Sequence, residues 1–330
     1  MSAETIEIET LQVSTDDDTH LATYRWPAEG HARAILIIVH GMAEHACRYD
    51  RFARHMAAAG IDVHAFDLRG HGVTAPAVDH GYIGTADDWQ ALVDDVARIR
   101  THALDTVGRR PVFVFGHSLG SFIAQAVLQE RGDGYAGAVL SGTDQPSRLG
   151  CRLAAGLAAL ESARVDATGR SALLQRLSMG AYNRRLKRRT GHVHTPFDWL
   201  SSDRRAVADY NNDSACGFAM RADTWRQLLH GIARTCSPHA RRAMPPHLPV
   251  LIVAGCEDSM GHFGRGPRSL ARALDNDGQR DVDLRLYADA RHELLHDHTA
   301  ERVNSDVLAW VENHIDTPEP PPAATRSEPS

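Results

Sequence analysis

In the stretch Pro111-Val112-Phe113-Val114-Phe115-Gly116-His117-Ser118-Leu119-Gly120, a continuous apolar run ends on a glycine, and a second glycine follows four positions later. Strands buried on both faces read as unbroken apolar runs, and parallel strands are buried on both faces. Beyond the run, Leu119, Phe122, Ile123, Ala126 and Val127 recur with helical spacing. A buried strand, a sharp turn and a helix therefore meet at Ser118. The glycines remove Cβ atoms where strand and helix pack close. The serine between them takes a strained conformation that lifts its hydroxyl to the carboxyl edge of the sheet.

Outward from this turn the same grammar repeats. Ala34–Val39 and Val250–Ala254 are continuous apolar runs, and Ile61–Phe66, Ala136–Leu140 and Val282–Tyr287 are further strand candidates. Helical patterns lie between them: Tyr49, Phe52, Ala53, Met56 and Ala57 on one face, Trp89, Leu92, Val93, Val96 and Ile99 on another, and Val303, Val307, Leu308, Val311 and Ile315 at the end. Thr5–Leu11 and His20–Trp26 alternate with period two, with Asp16-Asp17-Asp18 between them, and read as an antiparallel start. The sum is an α/β fold with a mostly parallel eight-stranded sheet and helices on both faces.

The alternation breaks over 146–246, which shows helical leucine patches (Leu153, Leu157, Leu160; Leu173, Leu174, Leu177) and no buried-strand run. A helical cap over the strand ends fits that length. The expected division is core 1–145, cap 146–246, core 247–316 and a disordered Pro/Ala/Ser/Glu-rich tail 317–330.

Composition excludes several classes. The net charge of −6 gives no general attraction to nucleic acid. Cys47, Cys151, Cys216, Cys236 and Cys256 are odd in number and show no C-x-x-C pair, so they read as free buried thiols. The first ten residues lack the basic and apolar regions of a signal peptide, and no apolar run approaches the ~20 residues of a membrane span. A soluble cytoplasmic protein is expected. The run Arg184-Arg185-Leu186-Lys187-Arg188-Arg189 reads as a solvated cap loop, with anionic lipid headgroups as its alternative partner and no nucleic acid.

A serine hydroxyl becomes a nucleophile only when a base takes its proton and a carboxylate orients that base. With the order serine, acid, histidine along the chain, the acid falls in Gly255-Cys256-Glu257-Asp258 and the base in Asp289-Ala290-Arg291-His292-Glu293, each just after a strand. Asp258 is favoured over Glu257 and Asp289, and His292 over His296 and His298. No helix-borne H-E-x-x-H accompanies His292 and His296, so no metal is expected. A tetrahedral oxyanion needs preset donors. The Leu119 N–H supplies one, and the Met42 N–H, in His40-Gly41-Met42-Ala43-Glu44-His45, the other. Asp67-Leu68-Arg69-Gly70-His71-Gly72 reads as a structural turn, and His117 as packing.

Together His40–His45, Asp67–Gly72, Gly116–Gly120 and Ala290–Glu293 resemble the monoacylglycerol lipase and lysophospholipase-like family, whose domain is called serine aminopeptidase S33, over about residues 15–315. The resemblance implies the α/β-hydrolase fold, no cofactor, and hydrolysis of lipid-like carboxylic esters. It places the triad on Ser118, Asp258 and His292 and the oxyanion amides on Met42 and Leu119. Phe197–Asp203 and Cys216-Gly217-Phe218 look like a bacterial branch. The chain departs from that branch at Ser259-Met260-Gly261, where Pro-Val-Gly is expected, and at Ser214-Ala215, where a proline is.

The expected substrate is a monoacylglycerol or lysophospholipid-like ester, with an acyl pocket built from the cap leucines and transient membrane-surface contact through the cap. A peptidase, amidase, thioesterase or lactonase on the same triad, or a non-catalytic ligand-binding member of the fold, are the alternatives.

Overall fold

The computed structural model describes residues 7–84, 88–165 and 169–315. The sheet has eight strands: β1 (Glu9–Ser14), β2 (His20–Trp26), β3 (Ala34–Val39), β4 (Ile61–Phe66), β5 (Val112–His117), β6 (Gly137–Ser141), β7 (Val250–Gly255) and β8 (Val282–Tyr287). Their spatial order is β1-β2-β4-β3-β5-β6-β7-β8. β2 runs antiparallel to β1 and β4, and every later pairing is parallel. Strands β3 to β7 are buried at every position, as parallel strands covered on both faces are, including Asp62 and His64 of β4. The fold is that of the α/β-hydrolases.

The first strand differs from expectation. Among the described residues pairing runs from Glu9 to Ser14, displaced from the alternating stretch Thr5–Leu11, of which Thr5 and Ile6 lie outside the described residues. The register places buried Val13 opposite Leu21. This apolar pair fixes an otherwise exposed edge strand.

Two cores flank the sheet. On one face α2 (Asp88–Val107) and α3 (Leu119–Arg131) pack with Ile35, Ile37, Val112 and Val114. On the other, α1 (Asp50–Ala58) and α11 (Ala300–Ile315) pack with Leu36, Ile38, Phe113 and Phe115. Alternate residues of each strand serve opposite cores, as the pleat dictates.

Between β6 and β7 the described residues form helices and add no strand to the sheet: α4 (Arg148–Arg164), α5 (Ala172–Leu177), α6 (Met179–Thr190), α7 (Arg204–Asn212), α8 (Ala222–Thr235) and α9 (Pro238–Arg241). Ser147, Ser171, Asp203 and Ser237 cap four of them through side-chain oxygens. The remaining α10 is Arg265–Asn276.

The structure corrects three expectations. The leucine patches point inward only in part: Leu174 is buried and Leu157 packs beside it, but Leu153 and Leu160 are 68% and 72% exposed. Instead α4 buries Cys151, Ala155 and Ala158, small residues that let helices approach closely. The basic run lies within α6 and is not a loop. Of the five free cysteines, Cys47 is exposed and Cys256 half-buried; only Cys151, Cys216 and Cys236 are buried. The tail 317–330 lies outside the described residues.

Candidate active site

Ser118 stands between β5 and α3 with φ 51° and ψ −115°, a left-handed backbone that a non-glycine residue adopts only under tertiary constraint. Its N–H is held by the Ser141 carbonyl at 2.9 Å. The Ser121 hydroxyl donates to its carbonyl at 2.6 Å. The flanking glycines are sterically required. A Cβ on Gly116 would collide with the Gly120 carbonyl, and one on Gly120 with the carbonyls of Val39 and His40. The strained turn is thus held by close backbone contact among β3, β5 and α3.

Asp258 and His292 arrive from the loops after β7 and β8. The His292 Nδ1–H donates to Asp258 Oδ2 at 2.9 Å, with both residues 1% exposed. Met260 N–H donates to the other carboxylate oxygen at 2.7 Å. With its proton on Nδ1, the ring presents Nε2 as an acceptor. This atom is buried and has no hydrogen-bond partner among the described residues. Burial alone would depress His292, but the Asp258 charge and hydrogen bond, with help from Glu293 and Glu44, raise it above the usual imidazole value.

Ser118 and His292 line one cavity of about 230 Å³. Gly41, Met42 and Leu119 line it too. Neither the Met42 nor the Leu119 N–H donates to a protein acceptor among the described residues. The loop carrying Met42 is held from both ends. His40 Nε2 accepts from Leu68 N–H at 2.9 Å, so its Nδ1–H donates to the Gly41 carbonyl at 2.7 Å. Gly41 N–H donates to Glu44 at 2.6 Å. Ala43, with φ 57°, turns its carbonyl to the helical insertion, where it accepts from the Tyr210 hydroxyl at 2.8 Å and from Gly217 N–H at 2.9 Å.

The rival acids and bases fall elsewhere, each for a visible reason. Glu257 forms a bidentate pair with Arg189 at 2.9 Å. Asp289 is exposed in a left-handed turn. His296 packs edge-on against Tyr49, and burial pushes it down to about 4. His298 is exposed. His117 packs against His292 at 4.8 Å between ring centroids, and burial followed by the His292 charge pushes it down to about 4. Asp67 is structural as expected, accepting from Ala46 N–H at 2.8 Å and Val73 N–H at 2.7 Å.

Sequence reasoning missed the ions at the cavity wall, where Glu44 and Glu293 are lining residues. Glu44 and Glu293, both buried, share Arg48: one bond of 2.7 Å to Glu44 and two of 2.7 Å to Glu293. The guanidinium also lies over the Tyr210 ring at 4.8 Å. Glu44, His117 and Glu293 have a metal-like arrangement, but Arg48 already supplies the positive charge there. In a second such group, of His45, Asp213 and Cys216, His45 is hydrogen-bonded to Asp213 at 2.9 Å. The i,i+4 spacing of Glu44 and Arg48 was visible in the sequence, but nothing there signalled its burial.

The insertion closes the cavity. Trp199 packs on His292 at 4.9 Å between centroids. Met179, Trp225, Leu229 and Ile232 add apolar wall, and Asp144, Arg185 and His262 add a polar one. Burial pushes the Asp144 carboxyl up to about 6.

A sharp serine turn, a buried Asp–His pair and two free amides on one cavity, on this sheet, define a hydrolase of the α/β-hydrolase class. The family model for serine aminopeptidase, S33, matches residues 30–299, and the chain belongs to that family. It is 27% identical over 290 residues to a monoacylglycerol lipase of Mycolicibacterium smegmatis, covering 88% of this chain and 92% of that one. It is 29% identical over 309 residues to a monoglyceride lipase of Mus musculus, covering 91% and 89%. Among solved structures, a carboxyl esterase from Bacillus coagulans in complex with glycerol superposes with a TM-score of 0.84 at 24% identity, covering 94% of this chain and all of that one. Among the described residues no helix is long and apolar enough to cross a membrane.

Proposed function

We propose that this carboxylic ester hydrolase cleaves monoacylglycerol-like lipid esters, with Ser118 as nucleophile, His292 as base and then acid, and Asp258 as the carboxylate that fixes the imidazole. The observation that carries the reading is the unpartnered, buried Nε2 of His292 on the same cavity as Ser118, with Nδ1 committed to Asp258. Ser118 Oγ attacks the ester carbonyl as its proton moves to Nε2. The oxyanion is held by the Met42 and Leu119 amides. Nε2–H then protonates the leaving alcohol, and water releases the acid by the reverse sequence. The present structure has no Ser118–His292 hydrogen bond; such contacts often tighten only once substrate is bound.

The acyl chain lies against Phe122, Met179, Trp199, Trp225, Leu229 and Ile232. The named activities of the relatives support a lipid ester. The outward leucines of α4, with Leu149 67% exposed, support transient contact with a lipid surface from the cytoplasm.

The test is hydrolysis of p-nitrophenyl esters from acetate to decanoate. Each methylene buried is worth about 0.8 kcal/mol, so kcat/KM should climb steeply with chain length. Ser118→Ala should lose about 10³-fold or more in kcat. Retained turnover in that variant rejects the assignment. Preference for an aminoacyl amide over the matched ester reassigns the substrate to the peptidase class.

A further inference from the structure

The basic run of the insertion has no place in that chemistry, yet its helix brings it to the cavity. Arg185 and Arg189 are four residues apart on α6 and share a face. That face meets the loop after β7. Arg185 Nη1 donates to the Ser259 carbonyl at 3.4 Å. Arg189 pairs with Glu257 and lies over the Phe263 ring at 4.7 Å. Arg185, Arg188, Arg189, His262, Phe263 and Arg265 line a cleft of about 320 Å³. Arg185 and His262 also line the cavity that holds Ser118, so the two spaces adjoin.

The charge of this cleft is one-sided. Glu257 neutralises Arg189. Among the described residues no carboxylate forms an ion pair with Arg185, Arg188 or Arg265. The Asp258 carboxylate is committed to His292. Asp144, on the cavity wall, lies close enough to Arg185 for the guanidinium to pull its carboxyl down. His262 reports the local field: burial, then Arg185 and Arg265, hold it below its ordinary value.

The loop is shaped to put His262 there. His262, Phe263 and Gly264 are consecutive left-handed residues, with φ of 53°, 59° and 80°. Non-glycine residues hold such a backbone only under tertiary constraint. These residues follow directly on Ser259-Met260-Gly261 in the loop after β7. Guanidinium groups at one end of an apolar cavity match an amphiphile that ends in an oxyanion, since arginine binds phosphate through paired N–H groups.

We propose that the cleft is an anion subsite, and that the preferred substrates are lipid monoesters whose leaving alcohol carries a phosphate, such as an acylated glycerol phosphate, over their neutral counterparts. The proposal rests on the Ser118 reading. The ester C–O bond is broken by water, the acyl group takes the hydroxyl, the alcohol takes the proton, and the phosphate stays untouched on the alcohol.

The experiment compares 1-decanoylglycerol with 1-decanoylglycerol 3-phosphate as monomers at low salt. The wild-type protein should favour the phosphorylated ester in kcat/KM by at least about tenfold, a preference that salt screens. Arg185→Gln and Arg188→Gln should each lower that ratio several-fold, whatever they do to the neutral rate, and Arg185→Lys should restore part of it. Glycerol 3-phosphate should inhibit more strongly than inorganic phosphate; equal inhibition makes the site one for free anions and overturns the lipid assignment. Equal rates on the two esters, a ratio unmoved by either glutamine variant, or a preference seen only on anionic vesicles also overturns the proposal. If neither ester turns over, the Ser118 reading falls. The subsite is then judged by calorimetry, where equal affinity for the two lipids rejects it.

Discussion

Arg48 and Glu293 face each other through two parallel hydrogen bonds of 2.7 Å, one residue from the His292 imidazole, and the same guanidinium reaches Glu44 at 2.7 Å. Glu44 in turn holds the Gly41 amide, beside Met42, and Glu293 N–H donates to the Leu200 carbonyl of the insertion at 2.7 Å. One half-buried cation thus ties together the loop with the free amides, the loop with the histidine, and the insertion. Burial pushes both carboxyls up, but Arg48 overcomes it and both titrate below the usual glutamate value.

Arg48→Met leaves two buried carboxylates without a partner and should cost about 3–5 kcal/mol in urea unfolding. Because both carboxyls are depressed on folding, the stability they give is present above their unfolded value of about 4.5 and lost as pH falls through the folded values. The acid limb of the wild-type stability curve should therefore flatten in Arg48→Met. Glu293→Gln keeps the shape and loses one charge; its kcat on p-nitrophenyl decanoate should fall by more than its KM rises if the Arg48–Glu293 pair acts by positioning His292.

The raised His292 gives a second expectation. In the proposed mechanism His292 must be neutral to accept the Ser118 proton, so kcat/KM should rise with pH and reach half its plateau above 6.5. The stability sign is opposite: a histidine raised on folding stabilises fully below its unfolded value and loses that contribution as pH rises through the folded one. Asp258→Asn removes the carboxylate behind the ring. It should lower kcat by about 10³–10⁴-fold, with the titration of His292, followed by NMR, moving downward. A midpoint unchanged in this variant would detach Asp258 from His292.

Most of this architecture could be read in the chain because buried parallel strands carry a pattern that few other elements share. Val112–Phe115 and Val250–Ala254 were legible for that reason, and Ser118, Asp258 and His292 followed from their places at strand ends. The inward face of α4 was not. Its leucines have helical spacing, but the helix packs through Cys151, Ala155 and Ala158, and close packing selects small side chains that hydrophobicity ranks low. Arg48, Glu44 and Glu293 were hidden differently: charges 245 residues apart show no sign in sequence that one sheet edge buries them together.

Gly120→Ala tests the turn that carries Ser118. The added methyl would meet the Val39 carbonyl and come within 2.6 Å of the His40 carbonyl, backbone atoms of β3 and its loop that cannot swing aside. Overpacking against backbone that cannot yield costs about 3 kcal/mol or more, and each kcal/mol is worth about 2 °C of Tm in a chain at or beyond the upper end of the usual domain size. A fall in Tm of at least about 5 °C is expected by calorimetry, with loss of fluorophosphonate labelling of Ser118 in whatever fraction stays folded. A variant that melts with the wild type and labels normally would show that strand and helix do not need this approach.

Asp144 offers a change that should stabilise. Burial holds its carboxyl up at about 6, far above the ordinary value of 3.8, with only the Gln145 amide and Arg185 acting to lower it. A carboxyl raised on folding binds its proton more tightly in the native state. Below about pH 4 both states are protonated and no penalty exists; above about pH 6 both are ionised and the penalty is complete. Asp144→Asn has nearly the same shape, can still accept from Gln145 N–H, and carries no charge to desolvate. Its Tm should exceed the wild-type value by about 3 °C or more at pH 8, and the two should converge near pH 4. An asparagine variant no more stable than the wild type at pH 8 would mean that Asp144 is solvated in solution, and that the polar wall of the cavity beside Arg185 is open to water.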